Sequence, residues 1–136
     1  MKSWFGIISI FLAINVFPPP ATASEDPEVV TQFDANRYMG RWYEIARSPN
    51  FFQRNCLSST AEYKLLPDGS IHVLNTCYKL NNEQSQIEGT ASAPDLNSPT
   101  KLRVDFGFFR RGDYWIVDLD PDYQWAVISG PKKSSL

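Results

Sequence analysis

The feature that most limits what this chain can become is a run of seven strand-like segments, each closed by a turn signal, with no helical period of useful length between them. "KLRVDF" alternates most cleanly, setting Leu102, Val104 and Phe106 against Lys101, Arg103 and Asp105, so one face must be buried. "LSSTAEYKLL" sets Ala61, Tyr63 and Leu65 against Thr60, Glu62 and Lys64; "PDGS" turns the chain and "IHVLNTCYKL" returns. "QSQIEGTASA" places Ile87, Gly89 and Ala91 on one side, and "YWIVDL" and "YQWAVISG" follow, joined by Asp120-Pro121-Asp122. With a first strand over Trp42–Ala46, this is an all-β antiparallel meander. Long meanders solve their edge problem by closing into a barrel or sandwich, and a barrel of about eight strands is wide enough for one small ligand. Small inward residues (Ala61, Gly89, Ala91) beside large ones (Tyr63, Val104, Phe106) fit a cavity, and they also fit a core packed by size alternation.

The chain of 136 residues suits one domain. Residues 1–23 have the layout of a secretory signal peptide: Lys2, an apolar stretch from Trp4 to Phe17, and a small-x-small site at Ala21-Thr22-Ala23. The stretch is too short for a comfortable membrane span, and no cysteine follows it to carry a lipid anchor. Residues 24–32 read as an irregular lead-in and 33–136 as the domain, exported to a periplasm or secreted. Asp34 is placed to cap a helical turn ending at Tyr38. In an exported protein the even pair Cys56 and Cys77 favours a disulfide. A strict hairpin register would put Cys77 nearer Thr60, so a bulge or a flexible strand start is needed to bridge them.

The search for chemistry is short. Net charge is −2 and there is no basic stripe, so no nucleic-acid surface is expected. The single histidine, His72, sits mid-strand and reads as a surface or hydrogen-bonded structural residue. No nucleophile pair, phosphate loop or cofactor fingerprint appears, so neither enzyme activity nor a cofactor is expected. Two cysteines and one histidine make a poor metal site. Asp118, Asp120 and Asp122 read as a solvated turn, because no further oxygen ligand follows at calcium-loop spacing. Phe51 and Phe52 stand together in a loop, either as a lid over a cavity or packed onto the domain.

Gly40-x-Trp42 entering the first strand, after a turn containing Tyr38, resembles the lipocalin signature. "FDANRYMGRWYEIARSPNFFQ" and "TAEYKLLPDGSIHVLNTCY" resemble the bacterial lipocalins, a group that also resembles apolipoprotein D and the plant temperature-induced lipocalins. "YWIVDLDPDYQWAVISGP" is similar to the second family motif, so Gly40, Trp42, Asp120 and Tyr123 take the motif's structural positions. The likeness runs from Phe33 to Pro131. It implies an up-and-down barrel of which seven of eight strands are present. The chain stops at "GPKKSSL", where the eighth should begin, so the last strand, its helix and the arginine that would cover Trp42 are missing: the sequence is a fragment or truncated product, or the barrel is incomplete. Two open edges would follow, along Arg41–Arg47 and Tyr123–Ser129, and would leave the chain less soluble than one extended by a strand.

The resemblance implies binding and transport of small hydrophobic ligands such as fatty acids or lysophospholipids. Tyr63, Leu102, Val104, Phe106, Tyr114 and Ile116 are the candidate walls, with Phe51 and Phe52 in the loop that overhangs the open end in this family. "YWIVDL" is apolar on both sides, which leaves the facing of Tyr114 and Ile116 open. Two rivals remain at this stage: a lipid-modifying enzyme using a cavity thiol, and an interaction protein using open sheet edges. Peripheral membrane contact and self-association through those edges are the further partnerships considered.

Overall fold

A computed structural model of the chain describes residues 26–108 and 110–131, with residue 52 described in its backbone alone. The leader read over residues 1–23 and the side chain of Phe52 therefore lie outside the described residues. Seven strands are present among the described residues: β1 (Gly40–Tyr43), β2 (Ser58–Leu65), β3 (Ile71–Tyr78), β4 (Gln84–Ser92), β5 (Lys101–Asp105), β6 (Arg111–Leu119) and β7 (Ala126–Ser129). They pair antiparallel in strict chain order and form a half-barrel with β1 and β7 at its edges. One four-residue helix, α1 (Ala35–Tyr38), precedes β1. Its cap is the expected one: the Asp34 carboxylate accepts from the amides of Asn36 and Arg37 at 2.9 and 3.4 Å.

Antiparallel order sorts the connections between two ends. The α1 end gathers the β2–β3, β4–β5 and β6–β7 turns; the opposite end gathers the β1–β2, β3–β4 and β5–β6 connections. Register then sorts the faces. Trp42 pairs with Ala61, Tyr63 with Val73, Val73 with Gly89, Ala91 with Val104 and Leu102 with Tyr114, so all of these point to one face. That face holds the core of Ile71, Val73, Ala91, Leu102 and Val104, with Met39, Tyr63, Leu65, Phe106 and Tyr114 packed against it. Each fully buried aliphatic side chain there contributes about 1.5–3 kcal/mol.

Three boundaries differ from the sequence reading. β1 ends at Tyr43 rather than Ala46, although the Glu44 amide still donates to the Ser59 carbonyl at 3.0 Å. Beyond it the chain turns inward on itself: the Arg47 guanidinium donates to the carbonyls of Gln53 and Cys56, and Asn50 caps a 3-10 turn at Phe51–Gln53. β7 starts at Ala126 rather than Tyr123, because residues 120–125 form a closed turn. In it Tyr123 takes φ 60°, its amide donates to the Asp120 carbonyl, and the Gln124 amide donates to the Asp120 carboxylate. β6 begins earlier than expected, at Arg111 rather than Tyr114.

Cys56 and Cys77 are bonded, with Cα atoms 5.3 Å apart. Cys77 lies opposite Ser59, near the register expected, and Cys56 reaches it from the turn that precedes β2. The Cys56 amide donates to Gln53 and the Leu57 amide to Tyr78, which bends the strand start over the end of β3. With both cysteines paired, the cavity-thiol enzyme loses its nucleophile.

Candidate functional site

The motif residues meet at the α1 end. Gly40 takes φ +106°, a conformation closed to most side chains, and so lets the chain turn from α1 straight into β1. Trp42 then folds back: its indole N–H donates to the Tyr38 carbonyl at 2.8 Å, and its ring stacks on Tyr38 with centroids 4.7 Å apart. Tyr123, raised by its left-handed backbone, accepts a hydrogen bond on its hydroxyl from the Asp34 amide at 2.8 Å and lies beneath the Arg37 guanidinium. Arg37 also donates to the Pro121 carbonyl, so α1 is tied to the β6–β7 turn across 84 residues of sequence. Asp120 shapes that turn through its backbone and carboxylate and makes no part of a metal cluster among the described residues.

The lead-in closes the same end from another side. The Val30 amide donates to the Ile116 carbonyl at 2.9 Å, and its carbonyl accepts from the Thr100 hydroxyl at 2.6 Å. The Ile116 amide donates to the Thr100 carbonyl at 3.0 Å, so both backbone groups of Ile116 are turned to this side, away from β7. Ile116 and Thr100 are thereby buried completely.

On the concave face a cavity of about 150 Å³ is lined by Tyr63, Val73, Asn75, Val104, Phe106, Gly112, Asp113 and Tyr114. Of the candidate wall residues it brings together Tyr63, Val104, Phe106 and Tyr114. Leu102 and Ile116 share the face but are buried toward the α1 end and do not line the cavity. Pairing of Leu102 with Tyr114 settles the facing of "YWIVDL": Tyr114 and Ile116 point inward, and Trp115 outward beneath the Lys101 ammonium at 4.3 Å. Phe51 stands 70% exposed on the β1–β2 connection with the Arg54 guanidinium 4.0 Å over its ring, away from the lining.

Phe106 owes its place to Gly89. A Cβ on Gly89 would stand 2.6 Å from both the Asp105 carbonyl oxygen and the Phe106 Cδ1, so only a bare backbone lets the ring lie against β4. The β5–β6 turn is fixed beside it, where the Asp105 carboxylate accepts from the Gly107 amide at 2.8 Å and from Arg111 Nε at 2.6 Å. Those two bonds, the amide first, hold the Asp105 carboxyl below the usual carboxylate range.

The polar centre of the site is a chain of three tyrosines. The Tyr63 hydroxyl donates to that of Tyr114 at 2.9 Å, and the hydroxyls of Tyr38 and Tyr114 lie 2.7 Å apart. Burial raises all three above the ordinary tyrosine value, so each is a neutral phenol through the physiological range. Val73 carried a sequence signal, the apolar face of its strand, and Asn75 follows two residues on along that face. Gly112 and Asp113 read only as turn residues, and nothing in the sequence points the Tyr38 hydroxyl at Tyr114. His72 lies on the other face, with Nε2 3.5 Å from the Glu88 carboxylate, as a surface residue should.

Known proteins resemble this chain in sequence and fold. A family model described as a lipocalin-like domain matches residues 33–136. Temperature-induced lipocalin-1 of Arabidopsis thaliana is 44% identical over 124 residues, 85% of this chain and 66% of that protein. Outer membrane lipoprotein Blc of Citrobacter freundii is 37% identical over 131 residues, covering 96% of this chain and 73% of that one. Apolipoprotein D of Macaca fascicularis is 40% identical over 105 residues, 76% of this chain and 54% of its own length. The chain thus spans just under two thirds of the plant relative and about half of the apolipoprotein. The crystal structure of the cockroach major allergen Per a 4 superposes with a TM-score of 0.53 at 22% identity, over 77% of this chain and 65% of that one, a likeness of fold alone. Sequence, strand order and the Gly40–Trp42–Tyr123 corner agree: the chain belongs to the lipocalin family.

Proposed function

We propose that this protein binds small hydrophobic molecules on the concave face of its sheet and carries them through the aqueous spaces of the cell envelope or the exterior. The observation that carries this reading is the cavity of about 150 Å³ between Val73, Val104, Phe106 and the tyrosines. An apolar cavity of that size takes a ring-sized group. A segment of about six carbons buried there contributes roughly 5 kcal/mol, at about 0.8 kcal/mol per methylene. The remainder of a longer ligand, a fatty acid or lysophospholipid tail, extends toward the β5–β6 end. Ile45, Phe51, Leu57, Leu80 and Phe108 are exposed on the connections gathered at that end, and an apolar rim there suits transfer to and from a lipid surface. Relatives named as outer membrane lipoproteins or as an apolipoprotein favour an exported protein. The test is native mass spectrometry and lipid extraction of the protein purified from its own compartment. Co-purified lipid, or uptake of added fatty acid or lysophospholipid, is expected; an empty protein that refuses both contradicts the reading.

A further inference from the structure

Three hydroxyl protons serve two hydrogen bonds in the tyrosine chain, so one proton is left over, and the geometry says where. Tyr63 gives its proton to Tyr114. Tyr38 is only 2% exposed and its hydroxyl has Tyr114 as its hydrogen-bond partner, so a buried Tyr38 donor is satisfied when it too donates to Tyr114. Tyr114 then accepts twice, and its own proton has no protein acceptor among the described residues. Tyr114 lines the cavity and Tyr38 does not. The spare proton is therefore presented to whatever fills the cavity.

The cavity lining also says what can accept it. Among the described residues no cation lines the cavity, and its one charged residue, Asp113, turns its carboxylate to the outer face, 3.7 Å from Arg103. A carboxylate or phosphate buried beside the tyrosines would be desolvated with no positive partner. A hydrocarbon end would displace water and leave the Tyr114 proton unsatisfied. An uncharged oxygen meets both conditions. Resting on the carrier reading above, we propose that the preferred ligand is a neutral amphiphile, a ketone, ester or alcohol, bound oxygen-first with that oxygen accepting the Tyr114 hydroxyl proton.

The test compares 2-undecanone, undecane and undecanoate at pH 8, each as a competitor of the uncharged fluorescent probe N-phenyl-1-naphthylamine. The expected result is that 2-undecanone binds roughly fivefold or more tightly than undecane, the value of one neutral hydrogen bond, and more tightly than undecanoate. Tyr63→Phe/Tyr114→Phe, which removes both cavity hydroxyls, should bring the ketone-to-alkane ratio close to one. Tyr43→Phe, on the convex face, should leave the ratio where it was. Circular dichroism confirms the fold of each variant, and the wild-type ratio alone decides if the paired variant does not fold. Equal affinity for ketone and alkane in the wild type, or a preference for undecanoate, overturns the proposal and leaves the carrier reading standing. A preference that survives in the folded paired variant overturns it as well. If none of the three displaces the probe, both readings fail together.

Discussion

Two glycines separated by 23 positions lie on the same concave face and should respond to alanine in opposite ways. At Gly89 the added Cβ would meet the Asp105 carbonyl oxygen and the Phe106 ring at 2.6 Å each. Ordinary contact for such atoms begins near 3.4 Å, so something must move by almost an ångström. Thr90 pairs with Asp105 in the ladder one position away, so the carbonyl resists and the Phe106 ring must yield. Overpacking of this kind costs about 1–3 kcal/mol. Reduced freedom of the unfolded chain returns about 0.4–1 kcal/mol, leaving Gly89→Ala destabilised by about 1–2 kcal/mol. At Gly112 a Cβ meets nothing within 4 Å and the backbone is not left-handed, so the same change should be neutral or stabilising by up to about 1 kcal/mol. Urea unfolding followed by tryptophan fluorescence measures both. Displacement of the Phe106 ring should also weaken binding of the naphthylamine probe by Gly89→Ala. If Gly89→Ala unfolds within about 0.3 kcal/mol of the wild type, the limit of such comparisons, the close approach of Phe106 to β4 is refuted.

Other consequences can be checked with the same tools. Reduction of the Cys56–Cys77 bond, which closes a loop of sequence separation 21, should lower stability by about 3 kcal/mol on the chain-entropy account, seen as a fall in the urea midpoint with dithiothreitol. Asp34→Ala removes a carboxylate that accepts two helix amides and should cost about 1 kcal/mol. The three inner tyrosines have raised folded values, so the folded protein holds protons that the unfolded chain releases above the ordinary tyrosine value of about 10. Stability from this source is therefore fully present below pH about 10 and is lost as pH climbs toward the folded values. A tyrosinate absorbance titration should show these phenols ionising last, together with unfolding, and an alkaline melting series that is flat through pH 11 would contradict this account of their burial.

The strand order was legible because its causes are local. Turn residues such as Pro67-Asp68-Gly69 and period-two alternation in "KLRVDF" act over a few positions, and β2, β3 and β5 stand within a residue or two of where they read. The helix cap at Asp34 was legible for the same reason. Where β1 and β7 stop and start was not, since Arg47 and Asp120 pull the chain off the ladder through bonds that alternation does not encode. Half of the cavity wall was visible as an apolar face. The tyrosine chain was not: it joins a helical turn, β2 and β6 across up to 76 residues, and a hydroxyl carries no periodic signal. Gly89 read simply as a small inward residue, and its role appears only once β5 lies against β4.

The claim at the centre of this account is that the ligand enters the concave face between Val73 and Val104. Methyl-labelled NMR of the protein titrated with 2-undecanone tests it directly. The methyl resonances of Val73 and Val104 should shift in a saturable way, while those of Val127, 47% exposed on edge strand β7, stay in place. Saturable shifts at Val127 or at other exposed methyls, with Val73 and Val104 unmoved, would contradict it.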